Sequence, residues 1–184
     1  MADGLFYLDT REPHIVSNIA PVTMTTTAKA MYPAAAFPVL GGGYFNRPGK
    51  AIKIEVQFLL TLPATPGNIS FNVHWGTGAD ANGTLISTAT TPVAALNATK
   101  RGTLTLTVRC ITTGTAGTLQ ATGFAQFDSL VVASTLQPMM IPTGAAVPSA
   151  GLDLTASNIV SIQPLQSGTA GTITVEELRV IALN

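Results

Sequence analysis

The chain has 184 residues, of which 10% are charged, with 9 Lys+Arg set against 9 Asp+Glu. A hydrophobic share of 46% with zero formal net charge excludes a disordered tail, which needs low hydrophobicity and high charge. It also excludes a general nucleic-acid binder, which needs a cationic field to displace counterions from phosphate. A chain this poor in charge is expected to have much of its surface covered by other copies or other proteins.

Residues 1–13 carry Asp3, Asp9, Arg11 and Glu12 without the basic start and apolar core of a signal peptide. No run approaches the ~20 apolar residues of a spanning helix. Cys110 is the single cysteine, so neither an intrachain disulfide nor a four-cysteine zinc site is expected, and no metal or cofactor is assigned.

Residues 1–48 read as a segment apart. Residues 19–27 suit a strand and 28–32 one helical turn. Then Pro33-Ala34-Ala35-Ala36-Phe37-Pro38 and Gly41-Gly42-Gly43 break any regular element. So long an irregular stretch is either a loop packed on the domain or an arm reaching a neighbour. We read it as an arm or wrap anchored by Tyr32, Phe37, Tyr44 and Phe45, its deletion leaving a folded domain over 49–184.

From residue 51 the texture is all-β, rich in Thr and Val and punctuated by Gly and Pro. Over 51–61, Ile52, Ile54, Val56, Phe58 and Leu60 alternate with Lys53, Glu55, Gln57 and Leu59, the period of a strand. Pro63-Ala64-Thr65-Pro66-Gly67-Asn68 follows, and Ile69, Phe71, Val73 and Trp75 alternate again, which predicts a hairpin. A second hairpin is expected from 103–112 and 118–127 around Thr113-Gly114-Thr115-Ala116-Gly117. A third is expected from 158–166 and 172–183 around Ser167-Gly168-Thr169-Ala170-Gly171.

Ile173 and Val175 fall on one parity, and Leu178, Val180 and Ala182 on the other. This slip at Glu176-Glu177 signals a β-bulge or a strand buried on both faces. Residues 84–90, 130–141 and 151–156 complete about eight or nine antiparallel strands. The expected architecture is all-β, a two-sheet β-sandwich of jelly-roll type.

Chemistry is sparse. His74 lies on the polar parity beside Trp75, and His14 stands alone. Cys110 shares the inward parity of Leu104, Leu106 and Val108, where a cysteine acts as a small hydrophobe. Adjacent Glu176 and Glu177 suit a glycosidase pair poorly. Asp80-Ala81-Asn82-Gly83 is a turn with too few acids for calcium. Gly76-Thr77-Gly78 lacks a phosphate loop's lysine and helix. The Asn-x-Ser/Thr triplets at Asn68, Asn82 and Asn97 read as products of a Thr-rich sequence. Arg47, Lys50 and Lys53, and Lys100-Arg101, form modest basic groups. No nucleophile, base and charge stabiliser come together, so no enzyme activity is expected.

The segments Tyr44-Phe45-Asn46-Arg47-Pro48-Gly49-Lys50-Ala51 and Trp75-Gly76-Thr77-Gly78-Ala79-Asp80-Ala81-Asn82-Gly83-Thr84, with the Thr/Ala/Gly-rich sandwich texture, resemble virion structural proteins of tailed bacteriophages. The nearest type is the head-decoration (cement) protein. The resemblance implies a protein made in the host cytoplasm that sits on the outside of the assembled capsid as a homotrimer. There it bridges major capsid protein subunits and has no nucleic-acid or membrane partner. Tyr32, Phe37, Tyr44, Phe45 and Arg47 are the expected partner contacts. The competing reading is a jelly-roll receptor- or carbohydrate-binding module of a phage head or tail fibre. Its sugar platform would be Trp75, His74 and the loops around Asp80 and Asn82.

Overall fold

The computed structural model describes residues 13–77, 83–93, 98–127, 137–145, 148–149 and 151–183. Within them the chain is all-β. The strands are β1 (His14–Ser17), β2 (Val22–Met24), β3 (Ala51–Leu62), β4 (Asn68–Gly76), β5 (Thr84–Val93), β6 (Ala98–Thr112), β7 (Thr118–Phe127), β8 (Gln137–Ile141), β9 (Ile159–Gln166) and β10 (Gly171–Ala182). They form two antiparallel sheets. A seven-stranded sheet runs β1-β10-β3-β6-β7-β8 with β2 also on β10, and a three-stranded sheet runs β5-β4-β9.

The alternation that marks the strands selects their inner faces. Ile52, Ile54, Val56, Phe58 and Leu60 of β3 are buried, as are Leu104, Leu106 and Val108 of β6 and Ile69, Phe71, Val73 and Trp75 of β4. Where Phe58, Gly102 and Phe127 stand side by side on β3, β6 and β7, the glycine leaves room for both rings. A Cβ at Gly102 would come within 2.6 Å of the Phe58 ring and 3.0 Å of the Phe127 ring. Phe71 of the smaller sheet completes the cluster, its ring centroid 5.9 Å from each of them. Offset and edge contacts of this kind add about 0.5–1.5 kcal/mol per pair beyond area burial.

One of the three expected hairpins forms, β6–β7, around Gly114. The other two open into crossings between the sheets. β3 pairs with β10 and β6, whereas β4 pairs with β5 and β9. Period-two alternation identifies a buried face but not the neighbour alongside, and loops longer than a tight turn free the chain to change sheet. The two crossings dock on each other. Gly168 and Thr169 donate backbone N–H bonds to the carbonyls of Pro66 and Thr65, and Ser167 donates to that of Asn68. The Ser167 hydroxyl in turn accepts from the Asn68 amide at 2.8 Å. Buried Gln166 ties the second crossing internally, donating to the Thr169 carbonyl and accepting from the Gly171 amide.

The slip at Glu176-Glu177 is a bulge, since the register against β3 shifts between Val175 and Glu177. Expected strand 151–156 is not one. Only an isolated bridge joins Leu152 to Gly117, and Asp153 instead caps its own turn by accepting from the Thr155 hydroxyl and amide. These bonds hold its carboxyl below the usual range, the hydroxyl contributing most. Expected strand 130–141 is seen as β8, and its residues 130–136 lie outside the described residues.

Residues 25–40 run beside β9 and cover its free edge. Met31 donates to the Ile162 carbonyl, the Gln166 amide donates to that of Thr25, and Leu40 and Asn158 exchange two bonds. The buried Tyr32 hydroxyl donates to the Val160 carbonyl at 2.9 Å. Satisfying the backbone of β9 in this way removes an open sheet edge. No helical turn forms over 28–32, and a short 3₁₀ turn lies instead at Ala34–Ala36. Met24, Met31, Tyr32, Phe37, Leu40 and Phe45 all join the common core. Removing residues 1–45 therefore opens that core, and the expected folded remainder does not follow.

The two turns that share the sequence Gly-Thr-Ala-Gly-Thr need their first glycine for opposite reasons. Gly114 has φ +96° and open space around it, whereas a Cβ at Gly168 would fall on the Thr65 carbonyl oxygen. Asn tolerates a positive φ. Gly114→Asn is therefore expected to cost under about 1 kcal/mol, and Gly168→Ala about 2 kcal/mol or more because two backbones must part. Urea unfolding midpoints measure both, and equal losses would refute the docked crossings.

Candidate binding surface

The residues singled out for partner contact divide between core and surface. Tyr32, Phe37 and Phe45 are buried within this chain, Tyr32 and Phe37 stacked at 5.8 Å. Tyr44 is half-buried and Arg47 exposed. Lys50 lies 4.5 Å above the Tyr44 ring, a cation–π contact. Desolvation and an unpartnered, buried hydroxyl mark Tyr44 as a strained polar group, and burial pushes its phenol up to about 12.

Trp75 is only 4% exposed. It packs edge-on against Phe45 at 5.6 Å and donates its indole N–H to the Asp153 carbonyl. It is therefore core and offers no sugar platform. His74 is half-buried, with Nδ1 3.2 Å from the Gly83 carbonyl. That contact makes Nδ1 the donor and leaves Nε2, which is buried without a partner. Asp80 and Asn82 lie outside the described residues. Cys110 is buried against the carbonyls of Phe45 and Thr112, and burial raises its thiol, which removes nucleophilic thiolate. Among the described residues no group of three His, Cys, Asp or Glu could hold a metal ion. No helix among them is long and apolar enough to cross a membrane.

The basic groups are largely paired. Lys53 meets Glu55 at 2.6 Å, Arg179 approaches the same carboxylate at 3.6 Å, and Arg101 meets Glu176 at 3.0 Å. All three pairs lie on the outward face of the larger sheet and are partly exposed, so they neutralise charge more than they stabilise the fold.

That outward face is the surface that sequence periodicity left unassigned. Strand register sets Ile15, Arg179, Glu55, Thr105, Phe124 and Met140 in one row across it. The next row is Glu177, Gln57, Thr103 and Gln126. Its centre combines threonine and amide side chains with the three ion pairs, and its two rims are apolar. On one rim Met140 is 62% and Phe124 39% exposed. On the other Ile15 is 53% and Leu183 47% exposed, with Ile181 between them. Six strands separate the rims by roughly 24 Å at ~4.8 Å per strand step.

A recess of ≈ 320 Å³ opens on this face, lined by Gln57, Arg101, Gly102, Thr103, Gln126, Phe127 and Glu176. Of these residues the sequence singles out only Arg101 and Glu176 for possible chemistry. Gln57, Thr103 and Gln126 sit on three different strands, and only register brings them together.

Comparison with family models, with curated proteins and with solved structures gives no match for the chain.

The Tyr44 phenol generates a pH prediction. The unfolded tyrosine ionises near 10.0, while the folded one keeps its proton to about 12. Stability from this group is therefore intact below pH 10 and falls as pH rises towards 12. Urea unfolding across that window should show a shallower alkaline loss for Tyr44→Phe than for the parent chain. Identical slopes would contradict the burial of this hydroxyl.

Proposed function

We infer that the chain is a structural virion protein, one that oligomerises and binds the outside of an assembled phage capsid, where it stabilises the major capsid subunits. The observation that carries this reading is the outward face of the larger sheet, apolar at both rims and nearly neutral between them. Two different apolar rims on one face suit a heterologous contact, rim against opposite rim, which closes into a ring when the rotation permits. A homotrimer is the ring we propose. The opposite charges at its centre compensate one another, so the face presents little net field to a partner.

The pairing of β3 with β10 and of β4 with β9, joined by two stacked crossings, supports a jelly-roll reading of the sheets. The buried Tyr32, Phe37 and Phe45 move the proposed contacts away from an N-terminal arm and onto this face, with Arg47 and Tyr44 left as secondary candidates in the turn before β3. Multivalent seating of a ring on a shell raises avidity beyond that of each weak contact.

Light scattering on the purified protein is expected to give three times the chain mass. Met140→Lys and Ile15→Lys, both at exposed positions, are each expected to reduce it to one chain mass without loss of fold. The parent chain should co-sediment with undecorated phage heads and either variant should not. A parent protein that stays monomeric at high concentration and leaves heads unoccupied would overturn the reading.

A further inference from the structure

We propose that the recess in the centre of the larger sheet's outward face is a binding site for a neutral sugar. The proposal does not depend on how the rims associate.

The recess is assembled by register. Gln57 of β3 lies opposite Thr103 of β6, and Thr103 opposite Gln126 of β7. Three hydrogen-bonding side chains thus stand in line on adjacent strands, about 4.8 Å apart. Arg101, two residues from Thr103 on the same face of β6, reaches across β3 to Glu176 at the bulge of β10. The bulge is what makes this reach possible, since it presents the Glu176 carboxylate beside Glu177 on one face. The backbone of Gly102 lies between Arg101 and Thr103, and Phe127 lines the same recess.

The chemistry selects the ligand. Each glutamine amide offers two donors and an acceptor, the threonine hydroxyl offers both, and the ion pair offers fixed donors and acceptors at either end. Equatorial hydroxyls on alternate carbons of a pyranose present donors and acceptors at a comparable spacing. An anion would find no surplus cation, because Arg101 is already held by Glu176 at 3.0 Å. An apolar ligand would leave the side chains of Gln57, Thr103 and Gln126 without hydrogen-bond partners. At ≈ 320 Å³ the recess lies at the small end of ligand sites, which run from roughly 300 to 1,000 Å³. This fits one sugar ring with its neighbours in solvent.

The test is titration of ¹⁵N-labelled full-length protein with glucose, galactose, mannose and N-acetylglucosamine and with their disaccharides, followed by amide resonances. At least one sugar is expected to bind at millimolar strength and to shift the side-chain amides of Gln57 and Gln126 together with the Thr103 backbone amide. Gln57→Ala is at an exposed position and Gln126→Ala at a half-buried one, both on the outward face and outside the core. Each should weaken that binding by roughly three- to tenfold, the loss of one or two hydrogen bonds, with an unchanged urea midpoint. Inorganic phosphate and an unstructured polar peptide serve as the other arms. No shift with any sugar, sugar shifts elsewhere on the surface, or larger shifts at the recess from phosphate or peptide would each overturn the proposal.

Discussion

The two sheets are held together by rings that meet where β6 has no side chain. Gly102 stands between Phe58 and Phe127 on the inner face, and Phe71 reaches them from the smaller sheet. Any larger residue would push the rings apart and separate the layers, because interiors packed at crystal-like density do not absorb an extra group cheaply. Much else follows from this closure. The two crossings can dock only if the sheets are close at that end. The strap over 25–40 can cover β9 only if β9 is fixed against β10's sheet. On the opposite face the same glycine helps to form a recess.

The strand-bearing segments were legible in the sequence because alternation reports burial directly. The inner faces of β3, β4, β6 and β10 lie where Ile, Leu, Val and Phe recur at every second residue, and the Glu176 bulge shows as a change of parity. What the sequence did not carry was adjacency. Residues 51–76 contain two strands and a Pro-rich loop in either arrangement, and the choice between hairpin and crossing is made by distant residues 158–182. Two copies of Gly-Thr-Ala-Gly-Thr turn a hairpin in one place and a crossing in the other for the same reason.

The candidate surfaces follow that division. Tyr32, Phe37, Phe45 and Trp75 were conspicuous as aromatic residues in irregular or turn-flanked sequence, where exposure and burial leave the same trace. The structure buries them because the strap folds back on β9 and the turn at residues 43–49 packs on Trp75. Gln57, Thr103 and Gln126 were inconspicuous because each is one polar residue on an outward parity. They form a group only once β3, β6 and β7 are placed side by side.

The near absence of charge links fold to proposed role. Three ion pairs on the outward face cancel several of its charges, and threonine supplies most of the remaining polarity. Such a surface carries little net field, so its attraction for a second copy does not depend on long-range charge. The central claim is that this face associates through its apolar rims. Sedimentation velocity in low and in high sodium chloride tests it most directly. The account predicts an association constant that stays the same or rises slightly with salt. An assembly that dissociates as salt increases would contradict it, because its contacts would then be ionic.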